Sequence, residues 1–225
     1  MIRRVTSDPP QQYLSDRRAM WLTAPNQLGI AGWRVDDAFC PLEIVHGSGL
    51  LLGSEDCGVR LTASDDGSFP ELRDQFVRGD ELHLGFPQAD PHEFGLRLCI
   101  RGLEGNASGP SFELMVSIQT TWLDSRPTVD LSATGTLGDV GDGDASFTFE
   151  NDNGHSAILL GPHDAPFTSV VPTDGTSKLR LFGQFLEKGV IRRARPWILF
   201  GKQGVTADEI EKSAARLAAS PLPLA

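Results

Sequence analysis

The segment LEKGVIRRARPW, residues 186–197, has two arginines and a tryptophan at alternate positions, Arg193, Arg195 and Trp197. Side chains alternate across a β-strand, so Arg193, Arg195 and Trp197 are predicted to share one face, about 7 Å apart in succession. A guanidinium binds carboxylate or phosphate through paired hydrogen bonds, and an indole stacks on a sugar or a base. The spacing therefore predicts a site for a small anionic or sugar-like ligand.

Two further cations extend this predicted site, in the preceding segment KLRLFGQFL. Lys178 and Arg180 share a face of a strand that is predicted to form a hairpin with the arginine-bearing strand. The hairpin turn is placed at Glu187-Lys188-Gly189, because glycine adopts a positive φ readily. The alternative interpretation is that the arginines neutralise acidic side chains on adjacent strands, such as Asp130 or Glu187.

An acidic, glycine-rich run, DVGDGD, occupies residues 139–144. Carboxylate oxygens from one flexible loop are the ligands that Ca²⁺ prefers, and here they would come from Asp139, Asp142, Asp144 and Glu150. The spacing from Asp139 to Glu150 is that of the first and last ligands of an EF-hand, but the intervening residues depart from that pattern. Calcium binding is one interpretation, and a turn whose Asp side chains bond to their own backbone is the other.

The five histidines show no H-x-H or H-E-x-x-H spacing that would indicate a metal site. Asp90, His92 and Glu93 lie in one loop, where a metal would need further ligands such as His83 on a neighbouring strand. Strand-borne carboxylates that could form an acid–base pair, as in glycoside hydrolysis, are Glu43, Glu81, Glu113 and Glu150. The sequence contains neither a G-x-S-x-G nucleophile elbow nor a phosphate-binding loop. Their absence favours a non-catalytic protein over an enzyme.

Composition indicates a soluble globular protein. The 225 residues are 40% hydrophobic and carry a formal net charge of −10, which disfavours binding to nucleic acid. Cys40, Cys57 and Cys99 form an odd set without C-x-x-C spacing, which is typical of reduced thiols that pack as small hydrophobes. Neither a signal-peptide core nor a run of roughly 18 apolar residues occurs, so we expect a cytoplasmic protein that does not contact membranes.

Short apolar runs alternate with turn residues along most of the chain, a pattern typical of all-β proteins. In FELMVSIQTTWL, every second residue is apolar: Phe112, Leu114, Val116 and Ile118. This period of two predicts a strand with one buried face. We predict a single large antiparallel β-sandwich of two sheets and about a dozen strands over residues 16–205, preceded by a loose arm over residues 1–15.

Several turns and strand pairs are also predicted. DELHLGF is expected to pair with FGLRLCIRGL, and ASFTFEN with HSAILLG through the hairpin signal Asn153-Gly154. A tight turn is predicted at Asp124–Pro127, between two further strands. Pro196 cannot donate a hydrogen bond to a neighbouring strand, so it is expected at a sheet edge or a bulge. Trp122 is predicted to lie in the core.

One helix is predicted, over residues 206–219. Thr206 and Glu209 have the spacing of a capping box, and Ile210, Ala214 and Leu217 form an apolar stripe. An isolated helix of this length is marginal in water. We therefore expect it to pack on the sandwich, at an end or an edge of a sheet.

Three functions fit these features. The first is a non-catalytic binding module that uses Arg193, Arg195 and Trp197. The second is a carbohydrate-active hydrolase or isomerase whose His and Glu residues meet only in the folded protein. The third is a structural protein that forms homo-oligomers through its helix and an exposed strand edge. No cofactor is predicted.

Overall fold

The structure is a computed structural model that describes residues 13–15, 18–21, 30–35, 38–45, 49–65, 67–78, 81–103, 107–140, 145–173 and 176–221. Two large antiparallel sheets and one C-terminal helix confirm the predicted all-β sandwich. The described ranges contain eighteen strands rather than about a dozen, in part because the runs TVDLSATGTL and VIRRARPWILF are each divided between two strands.

The strands are β1 Tyr13–Ser15, β2 Arg18–Trp21, β3 Ile30–Val35, β4 Ala38–Val45, β5 Gly49–Gly53, β6 Gly58–Ala63, β7 Asp74–Arg78, β8 Glu81–Phe86, β9 Gly95–Leu103, β10 Ser111–Gln119, β11 Thr128–Ala133, β12 Thr136–Val140, β13 Ser146–Asn151, β14 Gly154–Leu159, β15 Thr168–Thr173, β16 Thr176–Phe182, β17 Ile191–Ala194 and β18 Trp197–Gly201. The first sheet has the order β1-β2-β3-β4-β5-β6-β11-β16-β15. The second has the order β12-β13-β14-β18-β10-β9-β8-β7, and β17 also pairs with β10.

The core lies between the two sheets. The apolar face predicted for β10, from Phe112 to Ile118, is fully buried, and it packs with side chains of the first sheet such as Leu61, Leu131 and Leu179. Full burial of each such side chain contributes about 1.5–3 kcal/mol. Because successive side chains alternate, the intervening residues of β10 are directed to the outer face of the second sheet.

Two predicted hairpins are confirmed. Strands β8 and β9 pair around the loop PQADPHE, with His83 opposite Cys99. Strands β13 and β14 pair around the Asn-Gly turn, with Asn151 opposite Gly154. Both hairpins belong to the second sheet, so they fix which outer-face side chains meet there.

The predicted hairpin between β16 and β17 is wrong, since β16 belongs to the first sheet and β17 to the second. Phe182 and Gly183 have φ angles of 69° and 84°, in the left-handed region, and they end β16. Residues 183–190 then cross to the other sheet. Lys178 and Arg180 therefore do not extend the surface that carries Arg193.

The segment between β10 and β11 also connects the two sheets rather than closing a hairpin. Trp122 lies in this connection and is 42% exposed, so its predicted place in the core is wrong. The residue follows the end of β10 at Gln119, where the alternation that buries Phe112 to Ile118 has stopped. Pro196 interrupts the chain between β17 and β18, both of which pair with β10, and so lies at an interruption within the sheet.

The helix α1 covers Ala207–Ala219, and both halves of its predicted capping box are present. It packs Leu217 against outer-face side chains of the second sheet, which are Ala157, Leu159, Trp197 and Leu199. The helix thus covers the face of β14 and β18, not an end or edge as predicted, because these strands are apolar on both faces. Within the described residues, no helix has the length and apolar character needed to cross a membrane.

The first turn of α1 is tied to the loop before β10. Glu209 accepts hydrogen bonds from the backbone N–H and the hydroxyl of Ser108, at 2.9 and 2.5 Å, and from the N–H of Thr206 at 3.0 Å. Partial burial raises the pKa of Glu209, but the hydrogen bonds from Ser108 and Thr206 together outweigh it and lower the pKa to about 2. The ionised carboxylate therefore stabilises the docked helix.

Replacing Glu209 with glutamine is expected to lower the free energy of unfolding by about 1 kcal/mol at pH 7, a value that allows for solvent screening. A carboxylate whose pKa is depressed stabilises the fold above its ordinary value of 4.5, and this contribution is lost as pH falls toward 2. The difference between wild type and variant should thus shrink from pH 5 downward in urea unfolding. Glu211→Gln, an exposed change on the same helix, is the control and should have little effect at any pH; a difference that persists at low pH would contradict the assignment.

Candidate ligand-binding site

Arg195 and Trp197, two residues of the predicted ligand site, lie beneath α1. They are 7% and 4% exposed. The guanidinium of Arg195 donates hydrogen bonds to the carbonyl oxygens of Leu217, Ser220 and Pro221, at 3.4, 3.2 and 2.8 Å. A cation that binds the terminal carbonyls of a helix also favours the helix dipole. Both side chains therefore have internal partners, and their role in ligand binding stays a prediction.

The buried carboxylate of Glu113, on β10, joins these groups. Its Oε2 accepts a hydrogen bond from Nε1 of Trp197 at 2.9 Å and lies 3.9 Å from Nε of Arg195. Its Oε1 lies 3.1 Å from Nη2 of Arg101 on β9. Glu113 was one of the strand-borne carboxylates singled out as an acid–base candidate. In the structure it links β9, β10 and β18 to the helix.

Arg193 lines an open cavity of about 480 Å³ beside β17. We call this space the β17 cavity, and the side chains that matter for its chemistry are His163, Asp164, Phe167, Gln184, Arg192 and Arg193. Its volume lies within the range of about 300–1,000 Å³ that is usual for small-molecule sites. Among the described strands, β17 pairs only with β10, so its other edge borders the cavity.

The charge in the β17 cavity is positive, although the whole chain is acidic. Among its described lining residues, the acidic side chain is that of the buried Asp164, whose Oδ2 accepts the backbone N–H of Arg195 at 2.9 Å. Burial raises the pKa of Asp164 above its ordinary value, and the hydrogen bond from Arg195 only partly opposes this. The arginines of the cavity wall therefore dominate its electrostatics, which favours an anion.

Arg192 contributes a donor in need of an acceptor. Its Nη2 donates to the carbonyl oxygen of Phe185 at 3.2 Å, whereas its buried Nη1 has no hydrogen-bond partner among the described residues. An unpaired buried donor costs about 1–3 kcal/mol. Alternation along a strand directs Arg192 to the face opposite that of Arg193. Both line the cavity because β17 is an edge strand, around which the cavity extends.

Lys178 and Arg180 lie on β16, in the first sheet. Arg180 is opposite Asp130 in register and binds it through Nε and Nη2, at 2.8 and 3.1 Å. A second carboxylate, that of Asp65, accepts two more of its hydrogen bonds. Burial raises the pKa of Asp130, but hydrogen bonds from Arg180 and Ser64 outweigh burial and hold it below its ordinary value. Arg180 thus neutralises cross-strand acids, far from Arg193 in the topology.

The calcium prediction falls mostly outside the described residues. Asp142 and Asp144 are not among them, and Asp139 is described only as a backbone position of β12. Glu150 is 64% exposed, and its carboxylate lies 3.7 Å from Nδ1 of His155. Calcium binding by this run stays a prediction.

The histidine of the PQADPHE loop has local partners. His92 contacts the hydroxyl of Ser68 through Nε2 and the carbonyl oxygen of Ala89 through Nδ1, at 3.0 and 2.9 Å. Glu93 accepts a hydrogen bond from the hydroxyl of Ser125. The metal grouping found within the described residues joins His83 to other partners instead.

That grouping consists of Glu81, His83 and Cys99, on the outer face of β8 and β9. Nε2 of His83 lies 3.1 Å from Oε2 of Glu81 and 3.9 Å from Sγ of Cys99. Burial and the Glu81 carboxylate raise the pKa of the Cys99 thiol to about 12, so the free thiol is not a nucleophile at neutral pH. From the sequence alone, Cys99 is expected to pack as a small hydrophobe. The hairpin register, which sets Cys99 opposite His83, is the signal that could have found the grouping.

The chain has no counterpart in the comparisons with known proteins. No family model matches it, and no curated protein or solved structure is significantly similar to it. Its function has to be inferred from the geometry of its own residues.

Proposed function

We propose that the protein is a non-catalytic binding protein for a small anionic ligand, such as a sugar phosphate, which occupies the β17 cavity. The observation that carries this proposal is the wall of a positively charged cavity that holds Arg192 and Arg193, where the buried Nη1 of Arg192 has no acceptor among the described residues. An anionic oxygen supplies that acceptor, and hydrogen bonds to charged groups are about twice as strong as neutral ones.

The cavity also offers groups that suit the rest of such a ligand. Arg193 presents a planar guanidinium, which matches the spacing of two phosphate oxygens. Phe167 is an exposed aromatic side chain that provides an apolar wall for the carbon face of a sugar, and Gln184 provides an amide for its hydroxyl groups. The arrangement supports recognition of a phosphate by its charge and of the attached group by its shape.

Binding is favoured over catalysis by the positions of the acid–base groups. General acid–base chemistry needs positioned groups about 2.6–3.2 Å from the protons they transfer. In the β17 cavity the carboxylate is that of Asp164, and its Oδ2 is held by the backbone N–H of Arg195. Glu150 and His155, at 3.7 Å, line a different cavity. Glu81 and His83, at 3.1 Å, are within hydrogen-bond reach of each other but are not among the residues that line the β17 cavity. The carbohydrate-active alternative therefore has less support.

Isothermal titration with ribose 5-phosphate, inorganic phosphate and ribose tests the proposal. We expect both phosphates to bind and the neutral sugar not to bind. Arg192→Gln and Arg193→Gln should each weaken phosphate binding by about 10–100-fold, the loss of about 1.5–3 kcal/mol for a charged hydrogen bond. Affinity should also fall with added NaCl, because salt screens the attraction.

Arg60→Gln is the matched control, since it removes an exposed arginine that pairs with Glu55 on the first sheet. Its phosphate affinity should equal that of the wild type. Absence of binding by either phosphate, or equal affinities in wild type and Arg193→Gln, would exclude the β17 cavity as an anion site.

A further inference from the structure

Three potential metal ligands converge on the outer face of the β8–β9 hairpin. Glu81 and His83 are two residues apart on β8, so both are directed outward. Cys99 is the direct cross-strand neighbour of His83 on β9. The ring of Phe76, on β7, stacks on the imidazole of His83 with 4.7 Å between ring centres and 9° between planes. This stacking limits the orientations that the imidazole can adopt.

The separations between the ligand atoms fit a tetrahedral zinc ion. With Zn–S of about 2.3 Å and Zn–N or Zn–O of about 2.0–2.1 Å, tetrahedral angles require about 3.6 Å for N···S and about 3.3 Å for N···O. The observed distances from Nε2 of His83 are 3.9 Å to Sγ of Cys99 and 3.1 Å to Oε2 of Glu81. All three ligand atoms lie within 4.8 Å of one another. The two distances from Nε2 thus differ from the tetrahedral values by only a few tenths of an ångström.

The same distances do not fit a nucleophilic triad. In such a triad the imidazole contacts the nucleophile through one nitrogen and the acid through the other. Here Nε2 of His83 faces both Cys99 and Glu81, so the ring does not lie between them. Convergence of three ligand atoms on one point is the arrangement that a metal ion requires.

The types and charges of the ligands select the metal. A thiolate, an imidazole and a carboxylate suit Zn²⁺, whereas Mg²⁺ and Ca²⁺ require oxygen ligands. On binding, Zn²⁺ takes the place of the Cys99 thiol proton, which passes to solvent. The thiolate and the Glu81 carboxylate then balance the two positive charges. Arg101, the cross-strand neighbour of Glu81, forms its ion pair with Glu113. The Glu81 carboxylate is therefore available to bind the metal.

We propose that Glu81, His83 and Cys99 form a zinc site, a function distinct from anion binding in the β17 cavity. The side chains of His83 and Glu81 are 24% and 30% exposed, so the fourth coordination position opens to solvent. Three protein ligands with an open fourth position are the pattern of zinc sites that bind water or a substrate, rather than of closed structural sites.

Titration of the tag-free, full-length chain with ZnCl₂ and with CoCl₂ tests this proposal. We expect one Zn²⁺ per chain by calorimetry. Bound Co²⁺, which replaces Zn²⁺ as a spectroscopic probe, should give a thiolate-to-cobalt absorption band in the near ultraviolet. Cys99→Ser should abolish this band, and His83→Asn and Glu81→Gln should each weaken Zn²⁺ binding by at least about 100-fold. Loss of an outer-shell partner alone already costs about 10–100-fold.

Cys57→Ser is the matched control, because Cys57 is a partly buried thiol outside the proposed site. It should retain both the absorption band and the Zn²⁺ affinity. Absence of stoichiometric binding, or a band that persists in Cys99→Ser and is lost in Cys57→Ser, would overturn the proposal. If circular dichroism shows that Cys99→Ser does not fold, the variants of the partly exposed residues His83 and Glu81 provide the test. Unchanged Zn²⁺ affinity in both His83→Asn and Glu81→Gln would then overturn the proposal.

Discussion

Replacing Glu113 with alanine is expected to lower the free energy of unfolding by about 3–5 kcal/mol, the usual effect of removing one partner from a buried ion pair. Glu113 is 5% exposed and accepts the indole N–H of Trp197. Its loss leaves that N–H without its acceptor and removes the carboxylate beside the buried cation Arg195 and the partly exposed cation Arg101. Urea unfolding at pH 7, followed by tryptophan fluorescence and circular dichroism, measures the change.

Two other variants separate the causes of that loss. Glu113→Gln keeps an acceptor for Trp197 but removes the charge, so its effect should lie between wild type and Glu113→Ala. Glu150→Ala removes a carboxylate that is 64% exposed, and surface changes of this kind stay within about 0.5 kcal/mol. A loss below about 1 kcal/mol in Glu113→Ala would mean that the buried ion cluster does not support the docked helix.

Replacing Trp197 with alanine is expected to cost about 3–5 kcal/mol and to loosen α1. The indole packs against Leu217, and the guanidinium of Arg216 lies 5.7 Å from its ring centre. Truncation leaves a cavity between the sheet and the helix. Hydrogen exchange of the amides in Ala207–Ala219 should therefore become faster, in addition to the lower stability in urea.

Trp197→Phe is the control that separates loss of the hydrogen bond from loss of aromatic packing. It preserves an aromatic side chain but removes the N–H that Glu113 accepts, and we expect a loss of about 1–3 kcal/mol. The alternating Arg193, Arg195 and Trp197 pattern predicts a different result when Trp197→Ala is combined with Arg195→Ala, namely loss of ligand binding with little change in stability. That result would place Trp197 in the ligand site and would contradict its role beneath α1.

The local elements could be predicted because their signals lie within a few residues. The alternation from Phe112 to Ile118 identifies the buried face of β10, Asn153-Gly154 identifies a hairpin, and Thr206 with Glu209 marks the start of α1. Each signal reflects a local requirement. These are burial of every second side chain, a positive φ at the turn, and acceptors for two backbone N–H groups at the start of the helix.

Strand partners could not be predicted in the same way. β16 ends at Phe182, a non-glycine residue with a positive φ. A phenylalanine does not predict that conformation, because bulky residues rarely adopt it. The sequence pattern found Arg193 but separated it from Arg192, because alternation places successive side chains on opposite faces and does not show that one cavity extends around the edge of β17. The meeting of His83 with Cys99 depends on hairpin register across 16 residues, which neither residue type reveals alone.

The position of α1 after the eighteen described strands has a consequence for folding of the chain. The strands emerge from the ribosome first, and they can assemble the sandwich while Leu159, Trp197 and Leu199 still lack their cover. A sheet face of this kind, transiently exposed, attracts other incomplete chains. Docking of α1 therefore ends the period in which this face of the folding protein is exposed, and Arg195 then holds the helix by binding its terminal carbonyls.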